Sequence, residues 1–345
     1  MLIIWIMFFV FVLATCRYTT YNENYLDKKY TNTIKGIFIF FVFIRHFLQY
    51  KLNMPNWNNI DTIGRQINNK MVQLIVTMFL FYSGYGVMES IKKKGNEYIK
   101  SLPKKRILPT WINFAIAVLI FMIASRYFVN NEFSIKKLIL SLIGWDSFGN
   151  SNWYIFDIII LYGITYLSAI IFKNKNLRVL TIFIGTLIFL IFMSFYKDTY
   201  WYNTVFCYWL GIAFSTYKEQ LEKIMHKKEL WLIILLGIIF AITYKYNKNI
   251  ISYEINAVVF ATLILVITRK INIKNKALEW AGSNLFPLYI YQRLPMMILN
   301  RTEYMKNNPY IFFIISLVLT IIIAIIYNKT IELKKRLSKI KGETN

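Results

Sequence analysis

The chain has 345 residues, 57% of them hydrophobic and 18% aromatic, with mean hydropathy +0.44 and 41 Lys/Arg against 17 Asp/Glu. A soluble core of this length would break its apolar runs with longer polar stretches; here Ile/Leu/Phe-rich runs of about 17–21 residues recur to the end, each long enough to cross a hydrocarbon core of roughly 30 Å. The net charge of +24 does not signal nucleic-acid binding, because the basic residues lie in short loops between apolar runs, the pattern of anchoring at a membrane face.

In lipid only helices and closed barrels satisfy their own backbone, and these runs are continuous rather than alternating, so helices are predicted. In chain order the spans read 2–16, 34–50, 71–90, 107–125, 152–172, 177–196, 200–217, 229–245, 252–268, 284–300 and 309–328. The first reads as a retained anchor, since no basic residue precedes it and no small-x-small cleavage site follows. The fold class is thus all-α: a polytopic membrane bundle of about ten core helices plus an N-terminal hydrophobic anchor. Its organisation is a hydrophobic segment and linker over 1–29, one transmembrane domain over 30–330 and a basic tail over 331–345. Cys16 and Cys207 offer neither a disulfide framework nor a metal motif, so no metal is expected.

Lys and Arg orient the bundle. The loops 17–33, 91–106, 173–178, 218–228, 269–283 and the tail from 329 carry 27 of them, and the alternate loops 11; Lys35, Arg45 and Arg293 remain. The positive-inside rule places the richer set in the cytoplasm, with the N-terminus outside and the C-terminus inside. The longest loops have about 20–26 residues, so no soluble domain is present in the sequence. No internal repeat stands out, which disfavours transporters built on inverted halves.

An ionisable side chain at membrane depth is costly and tends to face a working cavity. Lys35 and His46, in IKGIFIFFVFIRHFLQY, are eleven residues apart, three turns on one helix face and about 16 Å in depth. Arg45 projects about 100° from His46, toward another helix or the outer interface. The other histidine, His226 in MHKKEL, reads as surface. FLFYSGYG, residues 79–86, sets Ser83, Gly84 and Tyr85 among aromatics, a pattern that also suits helix packing through small residues. SLPKKRILPTW, residues 101–111, brings Lys104, Lys105 and Arg106 to a span whose start holds Pro109. The cluster is either positive-inside decoration or a cradle for a phosphorylated ligand. GNSNWYIFDIIILY, residues 149–162, puts Trp153 at the outer interface and Asp157 one turn deeper. GSNLFPLYIYQRLPM, residues 282–296, carries Pro287, expected to kink the helix, and Arg293, for which Asp157 is a conceivable partner.

This ordered set resembles the membrane acyltransferase family 3, whose members O-acylate cell-surface sugars. The likeness rests on Lys35 and His46 with ten residues between them, on Phe81-x-Ser83-Gly84-Tyr85, on Arg106-Ile107-x-Pro109, and on Trp153 opening a later helix. It covers about residues 30–330. There are departures. Pro103 stands where members often have a second arginine, Asp157 is out of register with an acid usual after the Trp, and Tyr289-Ile290-Tyr291-Gln292 replaces a Y-L-x-H ending. His46 is then the only histidine at membrane depth.

The resemblance implies acyl transfer from cytoplasmic acyl-CoA, acetyl-CoA favoured over succinyl-CoA, to a hydroxyl of a cell-surface or exported polysaccharide. A sugar hydroxyl needs a general base, and histidine suits neutral pH. On this reading His46 is the base, and Lys35 with Lys104, Lys105 and Arg106 holds the CoA phosphates. Ser83 or Tyr85 serves the developing oxyanion. Arg45 or Arg293 either takes that role or, with Trp153 and Asp157, binds the acceptor. Expected partners are membrane lipid, a glycan or lipid-linked sugar and other polysaccharide-assembly proteins, with no nucleic acid. Low Ala and Gly with high Ile, Lys and Asn suggests an AT-rich bacterial genome, hence a bacterial cell membrane. The rival reading is a polysaccharide exporter or polymerase. The longest outer loop, 126–151, has only Arg126, Lys136 and Lys137, against the long Arg-rich loop a polymerase is expected to carry.

Overall fold

The computed structural model of the chain describes residues 2–51, 59–129, 133–247 and 249–343. Parts of three of the loops counted above, 52–58, 130–132 and Lys248, and the last two residues of the tail, lie outside the described residues. Helices dominate. The N-terminal anchor is α1, Leu2–Leu13, followed by a three-residue strand β1, Cys16–Tyr18, and the long helix α2, Lys28–Tyr50. Next come α3, Asn59–Met71, a tight turn over Val72–Val76, α4, Thr77–Leu102, a wide turn over Pro103–Ile107, and α5, Leu108–Val129. Then follow α6, Ile135–Leu142, α7, Trp153–Ile171, α8, Lys175–Tyr196, α9, Phe206–Thr216, α10, Lys218–Met225, α11, Glu229–Lys245, and α12, Ile250–Thr268. Strand β2, Ile271–Ile273, precedes α13, Lys276–Ser283, α14, Leu285–Tyr291, α15, Arg293–Leu299, α16, Glu303–Asn307, and α17, Pro309–Glu343.

Among the described residues six helical stretches are long and apolar enough to cross a membrane: Lys28–Tyr50, Gln73–Val129, Trp153–Ile171, Lys175–Tyr196, Ile250–Thr268 and Pro309–Lys334. The second contains two of the spans expected from the sequence, divided at Gly95, where φ is +56°. Only glycine takes that backbone without strain. Helix starts follow local chemistry. Asn249 accepts from the Ser252 amide at 2.9 Å while the Ser252 hydroxyl accepts from the Asn249 amide at 3.2 Å, a reciprocal cap that starts α12. Asn174 and Asn275 cap α8 and α13 in the simpler one-way manner.

The 284–300 span is interrupted, though not where expected. Pro287 sits in the first turn of α14, where an amide has no intrahelical acceptor to lose. The break falls at Gln292, because Pro295 lacks the amide that would bond the Tyr291 carbonyl four residues back.

Two pairs of helices approach closely enough to exclude a side chain. A Cβ on Gly84 of α4 would collide with the Tyr208 carbonyl on α9, and one on Gly211 of α9 with the Phe81 carbonyl on α4. Likewise Gly36 of α2 lies against the Leu278 carbonyl, and Gly282 of α13 against the Asn32 carbonyl. Small residues let helices gain dispersion contact where lipid offers no hydrophobic driving force. Gly84 is therefore a packing residue. Outward faces are apolar, as on α8 (Ile184, Ile188, Ile191) and α11 (Ile234, Ile238, Ile242).

Loops sort onto two faces as their basic content suggests. On one, β1 pairs antiparallel with β2, Cys16 opposite Ile273. Beside it Arg269, 1% exposed, donates to Glu229 Oε1 at 3.1 Å and to the Tyr25 hydroxyl at 3.2 Å. Tyr25 in turn donates to Glu222 Oε1 at 2.8 Å. Burial first, and Glu222 next, push the Tyr25 hydroxyl up, so it remains a donor at any physiological pH. On the other face Lys51 donates to the Met305 carbonyl at 2.7 Å, and Lys197 to that of Trp145 at 2.6 Å. Helix α1 packs on α2, Phe8 stacked on Phe40 at 4.0 Å, and the Trp5 indole donates to the Gly64 carbonyl at 3.1 Å.

Thermal unfolding in detergent tests two of these constraints. Gly84→Ala is expected to lose about 1–3 kcal/mol through overpacking, while Gly86→Ala, whose Cβ meets nothing within 4 Å, is neutral or stabilising. Arg269→Gln is expected to cost about 3 kcal/mol by leaving buried Glu229 only the longer pair with Lys270 at 3.7 Å, and Glu229→Gln on top of it to recover part of the loss.

Candidate functional site

A cavity of about 590 Å³ opens at the second face, and its wall contains His46. Helix α2 supplies Arg45, His46 and Gln49; the segment before α4 supplies Gln73, Ile75 and Val76. The loop into α7 contributes Ser147 and Gly149 through Trp153, and Tyr200, Tyr289 and Arg293 complete the lining. Arg45, His46, Trp153 and Arg293, four residues singled out from three distant stretches of sequence, therefore meet in one place. Arg45 diverges from His46 on the helix yet shares its cavity, because the cavity is wide enough to take in both directions.

The geometry is fixed from behind. Arg45 Nη1 donates to Asn69 Oδ1 of α3 at 2.9 Å. Arg293 Nη1 donates to Gln49 Oε1 at 2.8 Å, and its guanidinium lies 5.5 Å from the centre of the Tyr50 ring. The expected Arg293–Asp157 pair is not formed. Asp157 is fully buried in α7, and neither of its oxygens has a hydrogen-bond partner among the described residues. The α7 loop is tied to itself: Asn152 Nδ2 donates to the carbonyls of Gly144 at 2.9 Å and Asp146 at 3.0 Å. Gly149, with φ +101°, makes the turn that presents Asn150 and Ser151.

The lining is rich in unused polar atoms. His46 Nδ1, Asn150 Nδ2 and Arg293 Nε are all buried without a hydrogen-bond partner among the described residues, and Ser151 and Tyr289 lie beside each other on the same wall. Buried polar groups are nearly always paired, so this concentration marks a place built for a polar ligand. Arg45 and Arg293 are the charged groups nearest the imidazole. Together the wall offers a proton acceptor, two guanidiniums and several neutral donors, a set suited to deprotonating a hydroxyl and stabilising an oxyanion.

A second cluster lies deeper toward the first face. Arg106 donates through Nε to the Tyr98 hydroxyl at 3.2 Å and stands close to Tyr162, Tyr208 and Lys35. Lys104 and Lys105 are exposed on the wide turn between α4 and α5. Ser83 lies beside the hydroxyls of Tyr154 and Tyr162. The Tyr154 ring is 5.3 Å from that of Tyr289, which is 6.3 Å from the His46 imidazole. A column of polar side chains thus links the basic cluster to the His46 cavity. Ser83 belongs to this column and not to the cavity wall. Tyr85 belongs to neither; its ring packs on Phe81 at 6.4 Å and Phe214 at 6.3 Å.

Several lining residues escaped the sequence reading. Gln73, Ser147 and Tyr200 carry no charge, and nothing in their spacing marks them. Asn150 and Ser151 stood in a stretch quoted for its neighbours, and the flag was there: three polar residues after a glycine at the mouth of a span.

No curated protein and no solved structure matches the chain. A family model described as an acyltransferase domain matches residues 28–329, from the start of α2 to the middle of α17, and so takes in the cavity, the column and the basic cluster. The chain belongs to the acyltransferase family 3 and is an acyltransferase of the membrane-helix type.

Proposed function

We propose that the protein moves an acyl group, acetyl by preference, from cytoplasmic acyl-CoA to a hydroxyl of a cell-surface or exported polysaccharide. The observation that carries this reading is the polar column. It joins a basic cluster on the face with more Lys and Arg to a ligand-ready cavity on the opposite face. By the positive-inside rule the basic face is cytoplasmic and the N-terminus outside, and the Ile-, Lys- and Asn-rich composition favours a bacterial cell membrane.

The CoA phosphates rest on Lys35, Lys104, Lys105 and Arg106, and the thioester arm extends past Ser83 and the tyrosines. Lys35 and His46 are about 16 Å apart along α2, so an extended arm is needed to reach the base. The acceptor sugar enters the outer cavity, against Trp153 and the amide and hydroxyl of Asn150 and Ser151. His46 takes the proton of the sugar hydroxyl as its oxygen attacks the thioester carbon. Arg45 and Arg293 stabilise the tetrahedral oxyanion, a role that their place in the cavity supports better than that of Ser83 or Tyr85. The C–S bond then breaks, and His46 returns its proton to the departing sulfur, so that CoA leaves as the thiol and the imidazole is neutral again. Asp157, behind Tyr154 and Tyr289, does not touch the ligand and supports the wall.

Reconstituted protein with labelled acetyl-CoA tests this. His46→Ala is expected to lower turnover by roughly 10²–10⁴-fold, and Arg293→Gln by roughly 10²-fold or more. Turnover by correctly inserted His46→Ala at the wild-type rate would remove the base. Charge removal at Lys104 and Lys105 is expected to raise KM for acetyl-CoA with kcat nearly unchanged, as loss of uniform binding requires. An unchanged KM would take the phosphates elsewhere.

A further inference from the structure

Beside the His46 cavity lies a second cleft of about 560 Å³, between the loop leading into α7 and the turn after α8. The two adjoin, since both are lined by Ser147, Asn152 and Tyr200. The cleft opens on the same face, and the mechanism above leaves it unused.

Two indoles lie beneath its largely polar lining, Trp201 fully packed in. Trp145 and Trp201 have ring centres 6.4 Å apart, and the Lys197 ammonium lies 4.1 Å and 4.4 Å from them. Its rim carries two exposed rings, Tyr196 at 62% and Tyr200 at 40% exposure. Asp198 starts the short turn after α8 without a side-chain hydrogen bond to it, and Asp146 and Asn152 face the cleft from the other side. Aromatic residues at a membrane interface are common by themselves. A belt residue, however, sets its ring against lipid, whereas these rings share a concave wall with two carboxylates and an amide.

That combination is the chemistry of sugar recognition. The C–H face of a pyranose lies on an exposed aromatic ring, which Tyr196 and Tyr200 offer, and its hydroxyls donate to carboxylates and to an amide oxygen such as Asn152 Oδ1. Two carboxylates against one lysine, itself engaged by two indoles, disfavour an anionic ring. The aromatic surface also continues inward, with Tyr200 and Trp153 centres 6.5 Å apart across the boundary with the His46 cavity.

We propose that this cleft is a saccharide subsite for the neutral sugar unit next to the one being acylated, so that the acceptor is an oligo- or polysaccharide and not a free monosaccharide. The proposal rests on the acyl-transfer reading for the identity of the neighbouring site, but its binding readout stands apart from it.

The test uses the full chain in lipid nanodiscs and measures affinity for mono-, di-, tri- and tetrasaccharides of glucose, galactose and N-acetylglucosamine. The expected result is a gain of about tenfold or more from monomer to dimer in at least one series, lost in Tyr196→Ala and in Asp198→Asn. Both residues are exposed, so their loss leaves the bundle folded. Affinity that does not rise with length in any series overturns the subsite, and so does a gain that survives both variants. Acetyl-CoA consumption by the same wild-type preparation is followed separately. If it is absent while the length-dependent gain is present, the acyl-transfer reading fails and the saccharide subsite stands. If consumption is present and the gain is absent, the reverse holds.

Discussion

The contact between α2 and α13 is the constraint on which the site depends. Gly36 and Gly282 bring the two backbones together, since a Cβ on Gly36 would meet the Leu278 carbonyl and one on Gly282 the Asn32 carbonyl. Lys35 precedes Gly36, and His46 lies three turns further along the same rigid helix. Fixing α2 at Gly36 therefore fixes the depth and rotation of both. The same device holds α4 against α9 through Gly84 and Gly211, and α4 carries Ser83 in the middle of the polar column. Lipid cannot squeeze these helices together, so contact area must do so, and glycine gives the most contact per residue. Positions beside the glycines inherit their precision.

The second requirement is a local break in regular structure. An unbroken helix over 285–299 would set Tyr289 and Arg293, four residues apart, on one stripe with a fixed rise. The interruption at Gln292 lets α15 leave at its own angle. Arg293 then reaches Gln49 of α2, while Tyr289 remains stacked toward Tyr154 and His46. The freed backbone is satisfied in part by Gln292 itself, whose amide donates to the Tyr289 carbonyl at 3.0 Å. Gly149 makes a comparable break on the other wall, where a left-handed turn aims Asn150 and Ser151 inward. Irregular backbone at membrane depth is tolerated where it lines a cavity, and both breaks do.

The spans were legible because the hydrocarbon thickness writes itself into the sequence as run length. The expected 229–245 coincides with α11, and 177–196 falls within two residues of α8. The elements that were missed, α3, α6, α10, α13, α16 and the two strands, are short or amphipathic and sit at the faces, where run length says nothing. At the site, charge was the readable signal: Arg45, His46 and Arg293 stood out because each is costly in lipid. Neutral residues pay no such toll, so Gln73, Ser147 and Tyr200 passed unmarked. Proline was read at the right density but the wrong residue, since Pro287 and Pro295 differ only in which carbonyl each deprives of a partner. That depends on where the helix begins, which a run of apolar letters does not tell.

The arrangement also explains why the proposed base sits so far from the basic cluster. Donor and acceptor of the proposed reaction belong to opposite sides of the membrane, and each must be held by groups suited to its own side. Phosphates call for lysine and arginine, which one face collects in its loops. A sugar calls for amides, hydroxyls and aromatic rings, which the loops of the opposite face supply at Asn150, Ser151, Trp153 and Tyr200. What remains is a distance to be spanned by the donor's own arm, along a packed line of neutral hydroxyls that must part to admit it. Tyrosine and serine suit that passage because they solvate a polar arm without offering a competing charge. A charged lining would hold the arm too tightly to release it, and an apolar one would leave its amides unpaired. The line from Arg106 past Tyr162, Ser83 and Tyr154 to Tyr289 is of this intermediate kind. It ends at the one buried imidazole, flanked by two guanidiniums that are tied back to Asn69 and Gln49 and so kept from closing over it.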